Sequence, residues 1–118
     1  MRKLLVAEDE RHLREGIAEA FRDAGHEVSE AADGAAALKA VEEQVFDLVI
    51  TDYRMPGCDG LELLRRVRLV NDSTAVIMMT AYGTVEGAVQ AMKLGAYDYI
   101  QKPFQLEELE LKAQRALE

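Results

Sequence analysis

Residues 4–10 read Leu4-Leu5-Val6-Ala7-Glu8-Asp9-Glu10, a short apolar run that passes directly into three acids. An uninterrupted apolar run of this length is typical of a strand whose two faces are both buried. The next segment has a helical period that continues up to Gly25, and its apolar members are Leu13, Ile17, Phe21 and Ala24. Because glycine commonly ends helices, residues 4–25 predict one strand followed by one helix.

Four further segments along the chain have the character of short strands. They are His26–Ala31, Asp47–Thr51, Ala75–Met79 and Tyr97–Ile100. Each is followed by a segment of helical period whose start or end carries a recognisable signal. These signals are the caps Asp33 and Asp59, Glu62 as the capping-box partner of Asp59, the terminal Gly95, and Lys102-Pro103 ahead of the last helix. The sequence therefore predicts five strand-helix units.

Five such units predict an α/β fold, a doubly wound five-stranded parallel sheet whose two faces are covered by five helices. The second predicted strand is more polar than the others, and the fifth is short. Both properties suit the edges of a sheet, where one side of the strand is open to water. We therefore expect the strand order 2-1-3-4-5.

The composition is that of a single globular domain spanning residues 1–118. Hydrophobic residues make up 49% and charged residues 31%, which excludes intrinsic disorder and a coiled coil. A formal net charge of -8 argues against direct binding to nucleic acid or to an anionic membrane. No apolar run approaches the roughly 20 residues that span a bilayer, so neither a signal peptide nor an anchor is expected. The lone Cys58 fits a reducing, cytoplasmic location.

Chemistry is expected beyond the carboxyl ends of the strands, because ligands of open α/β sheets bind there. The residues at those ends are Glu8, Asp9 and Glu10 after the first strand, Asp52 after the third, Thr80 after the fourth and Lys102 after the fifth. Carboxylates that lie close together repel one another unless a cation neutralises them. Mg²⁺ is the hard divalent ion that prefers oxygen ligands, and we expect it here.

These side chains together have the composition of a phosphoryl-transfer site. A metal ion and the ammonium of Lys102 hold the phosphoryl oxygens, while a carboxylate attacks in line. Asp52 is the candidate nucleophile because it is the single acid at the end of a central strand. Taken one at a time, each residue also has an ordinary structural explanation, and Glu10 is expected to do no more than begin the first helix.

Several segments resemble the signature of response-regulator receiver domains of two-component signalling. They are Val6–Glu10, Asp47–Gly57, Thr80-Ala81 and Lys102-Pro103-Phe104, which occur in the family's order over essentially the whole chain. Three segments are most similar to receivers of nitrogen-regulation-type transcription activators, in which an AAA+ ATPase domain follows: Asp52–Gly57, Ala81–Gly83 and Gly95–Tyr99. The resemblance implies a flavodoxin-like receiver fold and a signalling switch rather than an enzyme with turnover.

Carried onto this sequence, the resemblance implies that Asp52 accepts a phosphoryl group from a phosphohistidine of a partner histidine kinase. Lys102 would pair with a phosphoryl oxygen, and its bond to Pro103 is expected to be cis. The small Ala81 would leave room for the donor imidazole. The phosphorylated domain would act on an output domain in a longer chain or on a partner protein, or it would form a homodimer.

The resemblance also assigns the cation site. Glu8, Asp9, Asp52 and the backbone carbonyl of Arg54 would position Mg²⁺. Many receivers have two aspartates after the first strand, and Glu8 adds a methylene at the first of these positions. Glu8 is therefore expected either to bind the ion or to act on it through a water molecule.

A switch is implied as well. Thr80 would move inward to bond the phosphoryl group while Tyr99 changes between an exposed and a buried rotamer, and the surface of the fourth helix and fifth strand would repack. Arg54 and Tyr82 flank the site and would modulate the lifetime of the acyl phosphate.

Three other functions remain open at the level of sequence. A flavodoxin-like flavin carrier has the same architecture, but it needs a phosphate-binding loop where this chain has Glu8-Asp9-Glu10. An aspartate-nucleophile phosphohydrolase needs a second aspartate two residues after the first, where this chain has Arg54. A receiver-like interaction module without phosphoryl chemistry would not acquire a phosphoryl group at Asp52.

Overall fold

The computed structural model of the protein describes residues 2–81 and 85–118. Strands and helices alternate through these residues in the predicted order, and the five strand-helix units are confirmed. Their bounds are β1 (Lys3–Ala7), α1 (Arg11–Asp23), β2 (Glu27–Ala31), α2 (Gly34–Glu43), β3 (Leu48–Asp52), α3 (Gly60–Val70), β4 (Ala75–Ala81), α4 (Val85–Lys93), β5 (Asp98–Lys102) and α5 (Leu106–Ala116). Every helix in this part of the chain is too short or too polar to cross a lipid bilayer.

All five strands are parallel, and their order in the sheet is β2-β1-β3-β4-β5. The predicted strand order is therefore confirmed. Because the order reverses between β1 and β3, the carboxyl ends of these two strands flank the switch point at which such sheets bind ligands. Ala7 of β1 pairs with Thr51 of β3, so Glu8 and Asp52 follow from adjacent positions in the sheet.

Two apolar clusters sandwich the sheet, because successive residues of a strand point to opposite faces. The cluster on the side of α1 and α5 includes Leu4, Val6, Ile17, Phe21, Ile50 and Leu109. The cluster on the side of α2, α3 and α4 includes Leu5, Val41, Val49, Leu63, Met78 and Ala91. Burial of one such side chain contributes about 2 kcal/mol to the free energy of unfolding. The two clusters therefore hold the sheet, and the residues at its strand ends, in a stable position.

The strands extend further toward the site than the apolar pattern predicts. β3 includes Asp52, β4 continues through Thr80 to Ala81, and β5 begins at Asp98 and continues to Lys102. The expected ends at residues 51, 79 and 100 were therefore one or two positions short. Backbone pairing continues past the last apolar side chain, as in the pairs of Asp52 with Met79 and of Ala81 with Lys102.

The predicted helix caps are confirmed in part. The side chain of Asp33 accepts a hydrogen bond from the Ala36 amide at 2.8 Å, and that of Asp59 accepts one from the Glu62 amide at 2.8 Å. The return bond from the Glu62 side chain, which would complete the capping box, is not among the hydrogen bonds of the described residues. Each aspartate therefore satisfies one otherwise unpaired amide at its helix start.

The start of α3 is packed directly against the backbone of Asp52. The Gly60 amide donates to the carbonyl of Tyr53 at 2.8 Å. A Cβ atom on Gly60 would overlap the Asp52 carbonyl oxygen and would lie 2.7 Å from the sulfur of Met78. Since these neighbours are backbone and fully buried core, glycine is the residue that fits, and it holds the end of β3 in place.

Candidate functional site

Four charged side chains converge where β1, β3 and β5 end. Glu8, Asp9 and Asp52 each present a carboxylate oxygen, and these oxygens all lie within 4.8 Å of one another. The ammonium of Lys102 lies 2.6 Å from Glu8 Oε1 and 3.2 Å from Asp52 Oδ2. The sheet thus brings together the four charged residues that were predicted for the site.

Burial differs sharply among the three acids. The side chain of Glu8 is 1% exposed and that of Asp52 is 13% exposed, whereas Asp9 is an exposed residue. The cluster is therefore closed at Glu8 and open to solvent at Asp9. A cation or a small anion would enter the cluster from the side of Asp9.

Burial raises the pKa of both inner acids. For Glu8, burial is opposed by hydrogen bonds from Lys102 and from the Glu10 amide, and the pKa remains above its ordinary value. For Asp52, burial outweighs the charge and the hydrogen bond of Lys102, and the pKa is again raised. The protein therefore stabilises these two carboxylates less well than water does.

The pKa of Lys102 is set by its two partners. Burial alone would lower it, but the hydrogen bond of Glu8 and the charges of Asp52 and Glu8 together raise it. Lys102 is therefore a fixed positive charge at neutral pH. Three carboxylates and one ammonium give the cluster a formal charge of -2 when all are ionised, and this charge is suited to a divalent cation with oxygen ligands.

The two oxygens of Glu8 already have partners. Oε1 accepts from Lys102 at 2.6 Å, and Oε2 accepts from the Glu10 amide at 2.9 Å. Direct coordination of an ion by Glu8 would compete with both bonds. Asp9 is exposed, and the contact of Asp52 with Lys102 is longer than that of Glu8, at 3.2 Å, so these two acids are the better direct ligands for a cation.

Thr80 is buried in β4 beside this cluster. Its hydroxyl donates to the carbonyl of Ile100 on β5 at 3.4 Å, which is a long hydrogen bond. Tyr99, which lies next to Ile100 in β5, is 37% exposed. The structure thus places Thr80 inside β4, one residue past the predicted end of that strand, with its hydroxyl bonded to the backbone of β5.

The remaining predicted residues lie close to the site residues along the chain. Arg54 is exposed, and its guanidinium lies 5.3 Å from the centre of the Tyr53 ring. Ala81 is also exposed and shares a groove with Pro103 and Lys102, whose connecting peptide bond is cis as expected. The position predicted at Tyr82 lies outside the described residues.

Glu10 and Arg14 complete the surroundings of the acidic loop. Glu10 caps α1, because its side chain accepts from the amides of His12 and Leu13, which agrees with its expected structural role. Arg14 was missed by the sequence analysis. Its guanidinium donates to the backbone carbonyl of Glu8 at 3.0 Å. A basic residue in the first turns of a helix opposes the helix dipole, and this mismatch was the available signal.

Comparisons with known proteins all point to one family. The sequence model described as "Response regulator receiver domain" matches residues 4–114. The chain is 42% identical to the regulatory protein AtoC of Escherichia coli over 116 residues, which are 98% of this chain and 25% of AtoC. It is 36% identical to the sporulation initiation phosphotransferase F of Bacillus subtilis over 107 residues, which are 91% of this chain and 86% of that protein.

A solved structure agrees with these matches. The crystal structure of NtrX from Brucella abortus in complex with ADP superposes with a TM-score of 0.91 and 38% identity, covering 98% of this chain and 27% of that one. The chain thus spans about a quarter of the length of AtoC and of NtrX, but nearly the whole of the phosphotransferase F.

Proposed function

The chain belongs to the response-regulator receiver domain family of two-component signalling, and from that membership we propose that Asp52 is its phosphoacceptor in a Mg²⁺-dependent reaction. One observation carries the proposal. The carboxylate of Asp52 ends the central strand β3 within reach of the half-buried ammonium of Lys102 and of two further acids. A nucleophile, a fixed cation and a set of oxygen ligands therefore occupy one site, as phosphoryl transfer requires.

The cation site of the proposal uses Asp9, Asp52 and the backbone carbonyl of Arg54, and Glu8 would act through a water molecule. Both oxygens of Glu8 are already hydrogen-bonded, which supports this division of roles. When bound, Mg²⁺ neutralises charge on the oxygens of the transferred phosphoryl group. It would also relieve the repulsion between acids that the fold buries together.

In the proposed reaction, a carboxylate oxygen of Asp52 attacks the phosphorus of a phosphohistidine on a histidine kinase. The new bond joins that oxygen to phosphorus, while the bond from phosphorus to the imidazole nitrogen breaks and the imidazole leaves with the electron pair. Lys102 then exchanges a carboxylate contact for a phosphoryl oxygen, which its position between Glu8 and Asp52 permits. The product is an acyl phosphate that water later hydrolyses.

The surroundings of Asp52 support a phosphoacceptor over an enzyme with turnover. A phosphohydrolase of this type needs a proton donor two residues after its nucleophile, and Arg54 cannot donate a proton at working pH. A flavin carrier would bind a phosphate in the loop that here holds Glu8, Asp9 and Glu10, and these acids would repel it. The domain would assist only its own phosphorylation and dephosphorylation, with Arg54, Ala81 and Tyr82 setting their rates.

The larger context follows from the relatives. We propose a receiver domain over residues 1–118 in the cytoplasm, phosphorylated by a histidine kinase and linked to transcription regulation. An output domain, of the AAA+ type suggested by the likeness to nitrogen-regulation activators, would lie in a longer chain or in a partner. The binding of ADP by the longer relative NtrX is consistent with such an output domain.

The first test is covalent. Treating the protein with acetyl phosphate or phosphoramidate and Mg²⁺ is expected to add one phosphoryl mass to the intact chain, measured by mass spectrometry. With EDTA in place of Mg²⁺, the gain is expected to disappear, because the acids would then repel the incoming phosphate. An unchanged mass under both conditions would contradict the proposal, and so would a gain that does not depend on the metal.

The second test concerns the switch. A beryllofluoride phosphate mimic with Mg²⁺ is expected to shift the amide resonances of Thr80, of Tyr99 and of α4, because the long bond from Thr80 to Ile100 would be exchanged for one to the mimic. The measurement is a pair of ¹H–¹⁵N spectra with and without the mimic. Resonances of the edge strand β2 serve as the internal control. If shifts stay confined to the residues around Asp52, the switch is absent.

A further inference from the structure

Arg14 connects the acidic loop to the edge strand β2. Its Nη1 donates to the backbone carbonyl of Glu8 at 3.0 Å, and its Nε donates to Oε1 of Glu30 at 3.2 Å. The side chain of Arg14 is 14% exposed and that of Glu30 is 25% exposed, so solvent screens the pair only in part. The fork of the guanidinium thus spans from β2 to the residue that begins the acidic loop.

The backbone of Glu8 is consequently held on both sides. Its amide donates to the carbonyl of Ala31 at the end of β2, at 3.0 Å, and its carbonyl accepts from Arg14. That carbonyl belongs to the planar peptide unit that also contains the amide of Asp9. When this peptide plane is held in place, the Cα atom of Asp9, which carries the exposed side chain, is held in place as well.

Glu30 accepts hydrogen bonds from two arginines, Arg14 and Arg22, and the two can therefore be compared. Its second oxygen, Oε2, accepts from Arg22 Nη1 at 3.0 Å, and Arg22 Nη2 donates to the carbonyl of Val28 at 2.8 Å. Both arginines therefore join α1 to β2 through Glu30. Only Arg14 has a further bond to the acidic loop among the described hydrogen bonds.

We propose that Arg14 is a positioning residue for the cation site, with Glu30 as its anchor, and that it holds the Glu8–Asp9 peptide in the orientation that lets Asp9 bind Mg²⁺. This inference rests on the proposed function, since it assumes that Asp9 and Asp52 bind the ion. Lysine cannot take the place of Arg14, because a single ammonium cannot reach both the Glu8 carbonyl and Glu30 with the geometry of a planar fork.

The test measures Mg²⁺ affinity by NMR titration, following the amides of Asp9 and Asp52 near neutral pH. In Arg14→Lys, which keeps the charge, the dissociation constant is expected to rise about tenfold, as is typical when a group that orients a ligand is lost. The matched control is Arg22→Lys, which disturbs the same Glu30 but leaves the acidic loop untouched. Its Mg²⁺ affinity is expected to equal that of the wild type, although both variants lose some thermal stability.

The outcomes separate this inference from the function on which it rests. If the wild type binds Mg²⁺ and Arg14→Lys binds it equally well, Arg14 does not position the site and only the inference fails. If the wild type does not bind Mg²⁺, or if Asp9→Asn binds it as tightly as the wild type does, the proposed function fails as well. Should Arg14→Lys not fold, Glu30→Gln provides the same test, because it loosens the anchor of Arg14 and is expected to weaken Mg²⁺ binding. Unchanged affinity in Glu30→Gln would overturn the inference.

Discussion

Replacing Asp52 with asparagine is expected to abolish the Mg²⁺-dependent gain of one phosphoryl mass, because the amide that replaces the carboxylate is not a competent nucleophile. The same change is expected to raise the free energy of unfolding at neutral pH by about 1 kcal/mol. Burial raises the pKa of Asp52, so the folded state holds its ionised form less favourably than the unfolded state does. Intact mass spectrometry and urea unfolding measure the two effects.

The stability effect has a defined pH dependence. A carboxyl whose pKa is raised by folding contributes stability below its ordinary pKa and loses it as the pH rises through the raised value. The advantage of Asp52→Asn should therefore be present at neutral pH and disappear as the pH falls to the ordinary range of aspartate. Lys102 keeps its contact with Glu8 in the variant, which limits the loss of bonding.

Asp59→Asn is the matched control for Asp52→Asn. It makes the same chemical change in the segment that follows β3, but at the cap of α3, where asparagine also caps well. This control should acquire the phosphoryl group normally and retain the stability of the wild type. If Asp52→Asn acquires the phosphoryl group as the wild type does, Asp52 is not the acceptor.

Replacing Lys102 with methionine is expected to lower the free energy of unfolding at neutral pH by about 2–3 kcal/mol. Methionine has a similar length but no charge, so Glu8 and Asp52 would remain buried without a counter-ion. Their pKa values would rise further, and the lost stability should return as the pH falls and they become protonated. Urea unfolding over a range of pH measures both effects.

A second ion pair provides the control for Lys102→Met. Lys112 lies 2.9 Å from Asp98, with side chains that are 23% and 31% exposed, and Asp98 also accepts from the Tyr99 amide. Because the pair includes a single acid, and that acid is more exposed than Glu8 or Asp52, Lys112→Met is expected to cost less than about 1 kcal/mol, with little dependence on acidic pH. If Lys102→Met is as stable as Lys112→Met, the buried acids do not depend on Lys102.

Adding Mg²⁺ should separate the role of Lys102 in stability from its role in chemistry. A bound cation would compensate the two acids, so Lys102→Met is expected to gain more stability from Mg²⁺ than the wild type gains. Its rate of phosphorylation should nevertheless stay low, because no ammonium would be available to a phosphoryl oxygen. A variant that is phosphorylated at the normal rate would remove Lys102 from the proposed reaction.

The sequence predicted most of the fold because the strands are short, apolar and separated by capped helices. Their polar ends were placed less accurately, since Asp52, Thr80 and Lys102 continue the backbone pairing of strands whose apolar pattern has already ended. The convergence of the four charged residues followed from strand order alone. Strand order does not predict which of the four side chains contact one another, because those contacts depend on the length and rotamer of each side chain.

Two contacts of Glu8 could not be predicted from the sequence pattern. The shortest contact of Lys102 is with Glu8 rather than with Asp52, since the longer glutamate side chain extends inward to meet it. The carbonyl of Glu8 is held by Arg14, six residues later, and no acidic or apolar motif marks that arginine. Contacts of this kind depend on how α1 rotates over the sheet, which only the packed structure specifies.

The most direct test of the account locates the phosphoryl group. Sodium borohydride reduces an aspartyl phosphate to homoserine, so protein treated with a phosphodonor and Mg²⁺ can be reduced, digested and sequenced by tandem mass spectrometry. We expect homoserine at position 52 and unmodified aspartate at position 9. Homoserine at position 9, or a phosphoryl group on the hydroxyl of Thr80 with Asp52 intact, would contradict it.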